Sequence, residues 1–331
     1  MGVRWLAVLA VAATAAGACG PGSGSDAEEG AAASAATTAT TVPAEVTDGA
    51  DGYVPVSDVD AHAAIGLDAK EIRFLMEPAT SGGAVDWAAV GTLFTGGKSS
   101  KKGDGTLRTL AGLAPDDPVT AIVTEAVGGT GSSAGVTDAV RRQKVDKGIT
   151  VLLERKVLDE LASAGEKVAK GEVGPAQGAP HNVDEAWAFY TAEGNGPAAT
   201  AAKRATDFGR AGTVHEAVVA GLSAAQAAAV AGDAAALAKA TGDVEAALDY
   251  VFYLATFKYL DTGDDLVKRS EGETFYLGIR PELATAAPDA DREITAAFAS
   301  GQAAAGRSAL NGDAVLAVLG IGADERVDAM P

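Results

Sequence analysis

The chain has 331 residues, of which 45 are acidic and 26 are basic, so its formal net charge at neutral pH is −19. Nucleic-acid binders are basic, and anionic lipid surfaces attract basic segments. The charge therefore argues against nucleic-acid binding and against close docking on anionic lipid. The single cysteine excludes an internal disulfide, so the fold must depend on its hydrophobic core.

The N-terminus has the parts of a secretory signal peptide. Arg4 gives a positive start, an apolar run extends to Ala16, and small residues precede Cys19. The run is too short for a permanent membrane span, which needs about 20 apolar residues. The tetrapeptide AGAC that ends at Cys19 resembles a bacterial lipobox. We therefore expect residues 1–18 to be a signal peptide and Cys19 to be lipidated. An ordinary signal peptide with a chance cysteine is the alternative.

Residues 19–52 are rich in Gly, Ser, Ala, Thr and acidic residues, and they show no apolar periodicity. This composition predicts a disordered tether behind the lipidated cysteine. Residues 53–331 would then form a single domain, long enough to bury a sizeable core. The sequence thus predicts a cell-envelope protein, held by a lipid anchor on the outer side of the cytoplasmic membrane or in the periplasm.

Helical periodicity dominates residues 53–331, and the strict alternation of a half-buried strand is rare. We therefore predict an all-α multi-helix bundle. The helix that is apolar nearly all round should be the buried central one. The predicted helices run from Asp86 to Phe94, from Thr137 to Lys170, from Ala217 to Ala231 and, for the central helix, from Asp243 to Asp261.

Three charged residues fall within the apolar stripe of the longest predicted helix: Arg142, Asp146 and Glu160. Arg142 and Asp146 are four positions apart, so they can pair on the helix surface. Glu160 has no obvious local partner. A carboxylate on a buried face must be protonated, paired or bound to a cation. The alternative is that Glu160 lies at the edge of the stripe and reaches water.

A short internal repeat accompanies these helices. The segments EAWAFY, from Glu185 to Tyr190, and EGETFY, from Glu271 to Tyr276, each place Phe-Tyr four and five residues after a glutamate. Two matching half-units indicate a pseudo-twofold bundle in which each half provides one Glu and one Tyr.

The chain contains three histidines. His62 is close to the tether, and we expect it to face solvent. His215 opens an alanine-rich helix and is interpreted as a helix-start residue. His181 stands four positions before Glu185, so the two share a face if one helix includes both. The alternative for His181 is a hydrogen bond to the first turn of that helix.

No nucleophile elbow, zincin helix, phosphate loop or dinucleotide fingerprint is present, so we expect a protein that is not an enzyme. Glu160, His181, Glu185 and Glu271, together with a tyrosine, make an oxygen-rich set with one imidazole. Hard cations prefer such ligands, and ferric iron is the hardest common candidate.

Several segments resemble the low-iron-inducible periplasmic proteins, which are iron-assimilation proteins of algae related to the phytotransferrin domain and have bacterial lipoprotein versions. The segments that carry the resemblance are Asp86–Ala89, Gly97–Leu110, Leu158–Ala164, Gly178–Tyr190 and Glu271–Pro281.

The resemblance implies capture of ferric iron outside the cytoplasm, with a bound anion as a possible companion and a membrane uptake component as a possible partner. The ligands it implies are Glu160, His181, Glu185, Glu271 and Tyr276. It makes Arg108 and Arg280 partners of an anion or carboxylate, which suits the forked guanidinium. Two alternatives stay open. One is a structural or partner-binding envelope lipoprotein without metal, and the other is an enzyme that uses the three glutamates as acids and bases.

Overall fold

The structure, a computed structural model, describes residues 52–260, 262 and 265–329. In this part of the chain the secondary structure is helical, without a β-strand, and one antiparallel bridge joins Lys101 to Leu107. The all-α prediction is confirmed. The signal peptide, Cys19 and the tether up to residue 51 lie outside the described residues.

The described residues form helices α1 (Asp60–Ala63), α2 (Ile65–Leu75), α3 (Trp87–Gly96), α4 (Pro118–Gly128), α5 (Asp138–Ala169), α6 (Ala179–Thr191), α7 (Pro197–Asp207), α8 (Thr213–Ala231), α9 (Ala234–Tyr259), α10 (Leu266–Tyr276), α11 (Arg280–Ala286), α12 (Pro288–Ser300), α13 (Ala303–Leu310) and α14 (Asp313–Val318). Three short 3₁₀ turns join them, at Glu77–Ser81, Gly131–Ser133 and Ala192–Gly194.

Helix α5 is the long helix expected from the periodicity. It begins where predicted because the Thr137 hydroxyl accepts a hydrogen bond from the Val140 N–H, which caps the first turn. Ile149, Leu152 and Val157 of its apolar stripe have no exposed surface. Helices α4, α6, α9 and α10 all pack against α5. Charged side chains on the buried faces of α5 therefore meet residues of several neighbouring helices.

Helix α9 is the buried central helix, but it begins earlier than the sequence pattern indicated. The Asp233 carboxylate accepts hydrogen bonds from the N–H groups of Ala235 and Ala236, so the helix starts at Ala234. The expected start at Asp243 is wrong, because a cap signal inside a continuing helix was taken for its beginning. The alanine-rich neighbour is confirmed, since α8 packs against α9.

Within the described residues, α8 is the one helix long and apolar enough to cross a membrane, judged by length and composition. Its buried face packs on α6 and α9, as expected of a helix in the core of a bundle.

The predicted pair between Arg142 and Asp146 is wrong. The Asp146 carboxylate instead lies 2.6 Å from Arg73 Nε and 2.9 Å from Lys147 Nζ. Arg142 reaches 3.9 Å from Glu77. Tertiary neighbours supply closer partners for both residues than the helix does.

Arg155 joins α5 to the C-terminal helices. Its Nη2 donates hydrogen bonds to the carbonyl oxygens of Leu277 and Gly278, which follow α10. Its guanidinium also lies 3.3 Å from Glu154 and 4.0 Å from Glu282. This buried arginine is therefore surrounded by carboxylates.

The end of α6 lies directly beneath α2. Ala192 and Glu193 adopt left-handed φ angles of 39° and 50° at this point. A Cβ added to Gly66 of α2 would enter the space of the Ala192 carbonyl group. Glycine thus permits the close approach that brings α1 and the start of α2 beside α6.

Candidate functional site

Two histidines and two glutamates from three helices meet near the start of α6. His62 Nε2 of α1 lies 2.9 Å from Glu185 Oε1, and His181 Nε2 lies 3.0 Å from the same oxygen. Glu160 of α5 shares a hydrogen bond with Glu185. We call His62, Glu160, His181 and Glu185 the imidazole–carboxylate cluster. The side chains of all four are 7–19% exposed.

The local sequence explains how α6 presents its two residues. Pro180 lies in the first turn, where a missing N–H costs nothing, and the helix begins at Ala179. His181 and Glu185 are one turn apart and therefore lie on one face. The expectation that these two residues share a face is confirmed.

Glu160 is buried, with 5% of its surface exposed. Lys156 Nζ lies 2.7 Å from its Oε1, and Asn182 Nδ2 donates to its Oε2 at 2.5 Å. Burial, with the hydrogen bond shared with Glu185, raises the pKa of Glu160 to about 7. The sequence analysis missed Lys156, which stands one turn earlier on α5.

The pKa of Glu185 shifts in the opposite direction to that of Glu160. Burial acts to raise the pKa of Glu185, but hydrogen bonds from His62 and Glu160 outweigh burial, and the net shift is downward. A proton shared by the two carboxyl groups therefore favours Glu160, and Glu185 favours the carboxylate form that faces the imidazoles.

Arg108 stands near this cluster. Its Nη1 donates to Ser100 Oγ at 2.8 Å, and its guanidinium carbon lies 5.7 Å from the centre of the Phe189 ring. Burial lowers the pKa of Arg108, while the charges of Glu185 and Glu160 act to raise it. Arg108 is therefore an electrostatic partner of both glutamates.

The position of His62 corrects the expectation that it faces solvent. Its side chain is 15% exposed, and its ring packs edge-on against Phe189 and His181. Its Nδ1 is buried and has no hydrogen-bond partner among the described residues. No local pattern could have revealed this, because α1 is four residues long and has no apolar face of its own.

Glu271 does not join the cluster. Its Oε1 lies 3.2 Å from Lys147 Nζ and accepts a hydrogen bond from the Tyr259 hydroxyl at 2.6 Å. Lys147 precedes Glu160 by thirteen residues on α5, which is about 20 Å at 1.5 Å per residue. The expected convergence of Glu271 with Glu160 is therefore not observed.

Tyr276 and Arg280 lie at Asp291, apart from both the imidazole–carboxylate cluster and Glu271. The Tyr276 hydroxyl donates to Asp291 Oδ1 at 2.9 Å, and Arg280 Nε donates to the same oxygen at 2.9 Å. Burial and Asp291 raise the pKa of Tyr276, which keeps its phenol protonated. Through Asp291, Tyr276 joins the end of α10 to α12 and Arg280 joins the start of α11 to α12, away from the cluster.

The cluster offers two imidazole nitrogens and two carboxylates. This donor set fits non-haem ferrous iron and related divalent ions, whereas none of its members is a phenol. In the described part of the chain, no group of three or more His, Cys, Asp or Glu side chains is arranged to hold a metal ion as it stands. The four side chains instead contact one another at hydrogen-bond distances, so an ion would have to replace those contacts.

The fold and this cluster define a helical bundle with a buried histidine–carboxylate site. Residues 28–261 match the family model described as low iron-inducible periplasmic protein, so the chain belongs to that family. Membership supports an iron-related role outside the cytoplasm. Neither the search of curated proteins nor that of solved structures found a match.

Proposed function

We propose that the protein captures an iron ion at the imidazole–carboxylate cluster and supports iron uptake outside the cytoplasm. The observation that carries the proposal is the direction of two Nε2 atoms, from His62 and His181, toward one oxygen of Glu185. Imidazole nitrogens and carboxylate oxygens that meet at one point are the elements of an iron site.

The cluster replaces the ligand set expected from the sequence. His62 enters the set, while Glu271 and Tyr276 leave it because their partners lie elsewhere. Without a phenolate, the donors favour ferrous over ferric iron, so we propose Fe²⁺ as the ion first bound. The proton shared by Glu160 and Glu185 would leave on binding, because a ligating carboxylate must be ionised.

We further propose that Cys19 is lipidated and that the tether holds the domain at the membrane, close to an uptake component that receives the ion. The support is the order of signal peptide, lipobox and tether in the sequence.

The decisive experiment is metal analysis of the full chain, purified with detergent under anaerobic conditions. We expect one Fe²⁺ per chain, with Zn²⁺ and Mn²⁺ as competitors, and calorimetric binding that the Glu185→Gln substitution removes. The absence of stoichiometric binding for every one of these ions would overturn the proposal.

One observation favours the alternative of a structural lipoprotein. The four side chains of the cluster already satisfy one another, with Glu185 accepting from both histidines and Glu160 held by Lys156 and Asn182. Such a set can stabilise a fold without an ion. If this alternative holds, Glu185→Gln lowers stability and no metal binding is found in the unsubstituted chain.

A further inference from the structure

The segment of residues 53–62, which we call the strap, is fastened to α6 through one carboxylate. Asp184 Oδ1 accepts a hydrogen bond from the Tyr53 hydroxyl at 2.7 Å. Asp184 Oδ2 accepts from the backbone N–H groups of Val56 and Ser57, at 2.9 and 2.8 Å, and from Ser57 Oγ at 2.7 Å. Asp184 itself has no exposed surface. Its buried charge is thus compensated mainly by the strap.

Ser57 also contacts His181, and its hydrogen is already committed. Ser57 Oγ lies 2.8 Å from His181 Nδ1, while its one hydrogen is donated to Asp184. Ser57 must therefore accept a hydrogen bond, and His181 Nδ1 must carry the proton that supplies it. With Nδ1 donating to Ser57, Nε2 is the nitrogen left for an ion, which would replace the hydrogen bond from Nε2 to the Glu185 carboxylate.

The strap provides a ligand as well as this support, because His62 is its last residue. Its other attachments are mainly polar: Ser100 Oγ donates to the Ala61 carbonyl at 2.7 Å, and Gln226 Nε2 donates to the Val54 carbonyl at 3.0 Å. Tyr53 and Val59 are its two buried side chains, and the other eight are partly or fully exposed. Tyr53 stacks on Trp187 at 4.8 Å, and Gln226 donates to Asp184 beside it. A segment with few buried apolar contacts opens more readily than the helices it covers.

We propose that docking of the strap completes the ion site, so that ion binding and strap docking stabilise each other, with Ser57 and Asp184 acting as positioning residues for His181. This inference rests on the proposed function. It follows from linkage, because an ion that binds only where His62 is docked must favour the docked state by the same factor. A partner that pulled the strap away would remove His62 and the support of His181 together, and would release the ion.

The position of the hydrogen on the His181 ring tests the positioning role of Ser57 and Asp184 without any metal. Three histidines are present, so their ring ¹⁵N signals can be assigned by substitution. We expect His181 to carry hydrogen on Nδ1, where it can donate to Ser57 Oγ, and to keep it in Ser57→Thr, which retains the hydroxyl. Ser57→Val has the same shape without the hydroxyl and should lose this preference. In the unsubstituted chain, a His181 ring that carries hydrogen on Nε2 and none on Nδ1 would overturn the positioning role of Ser57.

Affinity and hydrogen exchange test the coupling. We expect Ser57→Val to weaken Fe²⁺ binding about 10–100-fold, the usual effect of removing a group that orients a ligand, with recovery in Ser57→Thr. Ser81→Ala, on the exposed turn at the end of α2, is the matched control and should bind as the unsubstituted chain does. Added Fe²⁺ should slow amide exchange in residues 53–62 more than in α13.

The outcomes separate the two ideas. If the unsubstituted chain binds no metal, the proposed function fails, and the coupling fails with it. If it binds Fe²⁺ but Ser57→Val binds equally well and exchange in the strap is unchanged, the inference alone fails.

Discussion

The imidazole rings of His62 and His181 stand 5.8 Å apart at an angle of 79°, and both direct Nε2 at the same oxygen of Glu185. One ring comes from a helix of four residues and the other from the first turn of α6. The arrangement therefore depends on tertiary packing, and it makes each histidine necessary for the proposed site.

We expect His62→Ala to weaken Fe²⁺ binding at least tenfold, and to weaken it about as much as His181→Ala, because each removes one nitrogen ligand. His215→Ala is the control, since His215 pairs with the Tyr190 hydroxyl at 3.0 Å and lies outside the cluster. Calorimetry under anaerobic conditions gives the three affinities. Equal affinity for His62→Ala and the unsubstituted chain would remove His62 from the site.

Glu185→Gln and Glu271→Gln should separate binding from stability. The first should abolish Fe²⁺ binding. The second should leave the affinity unchanged and lower the free energy of unfolding by about 1–3 kcal/mol, because the Lys147 ammonium loses a buried charged partner. Calorimetry and urea denaturation of both variants give the two quantities. Loss of metal binding in Glu271→Gln would contradict the separation of the two sites.

The comparison of Glu185 with Glu271 shows what the sequence could predict. The shared Glu…Phe-Tyr pattern indicated two half-units, and the helices that carry it, α6 and α10, both pack on α5. It could not indicate where along α5 each helix packs, and this position decides the partners of each glutamate. The internal symmetry itself stays a prediction.

Individual site residues could be predicted from the sequence only where they break a local pattern. Glu160 was identifiable because a charge in an apolar stripe needs a partner, and the one-turn spacing from Lys156 was available in the sequence. Asp184 and Ser57 were not identifiable, because their contact joins distant segments and neither residue breaks a local pattern. The helix class and the course of α5 followed from periodicity, while the assembly of the site depended on which helix ends meet.

Asp249 predicts how stability depends on pH. Burial, with the neighbouring charges of Glu282 and Glu154, raises the pKa of Asp249 well above its ordinary value. Between the unfolded and folded pKa values, the folded state holds a proton that the unfolded state has released. This group therefore makes stability fall as pH rises, by up to about 1.4 kcal/mol per pH unit.

Asp249→Asn keeps the shape of the protonated group and should remove this contribution. We expect the variant to gain stability relative to the unsubstituted chain as pH rises from 5 to 8, measured by urea denaturation. Asp289→Asn, on an exposed residue of α12, is the matched control. A gain that is the same at all pH values would show that Asp249 does not titrate differently in the two states.

Two glycine substitutions test the close contact of α2 with the end of α6. Gly66→Ala should lower the free energy of unfolding by about 1–3 kcal/mol or more, because the new methyl group meets the Ala192 carbonyl. Gly242 lies inside α9 with nothing within 4 Å of an added Cβ, so Gly242→Ala should raise stability by about 0.5–1 kcal/mol. Thermal and urea unfolding measure both, and equal effects would contradict the packing at Gly66.

Lipid attachment at Cys19 predicts a change of location. Cys19→Ala should release the protein from the detergent phase into the soluble fraction, because no other lipid anchor is expected from the sequence. Phase partitioning of the two proteins makes the comparison. A substituted protein that stays in the detergent phase would show that another segment holds it at the membrane.

The separation of two charged groups along α5 has a consequence for other members of the family. The network around Lys147 and Glu271 ties α5 to α10 without any part of the imidazole–carboxylate cluster, so we expect the bundle to persist when the two histidines are replaced. A relative that retains the Lys147–Glu271 pair but has other residues in place of His62 and His181 would have the same fold and a different function. Membership of the family therefore does not by itself imply the proposed ion capture, and His62 and His181 are the positions to compare among relatives.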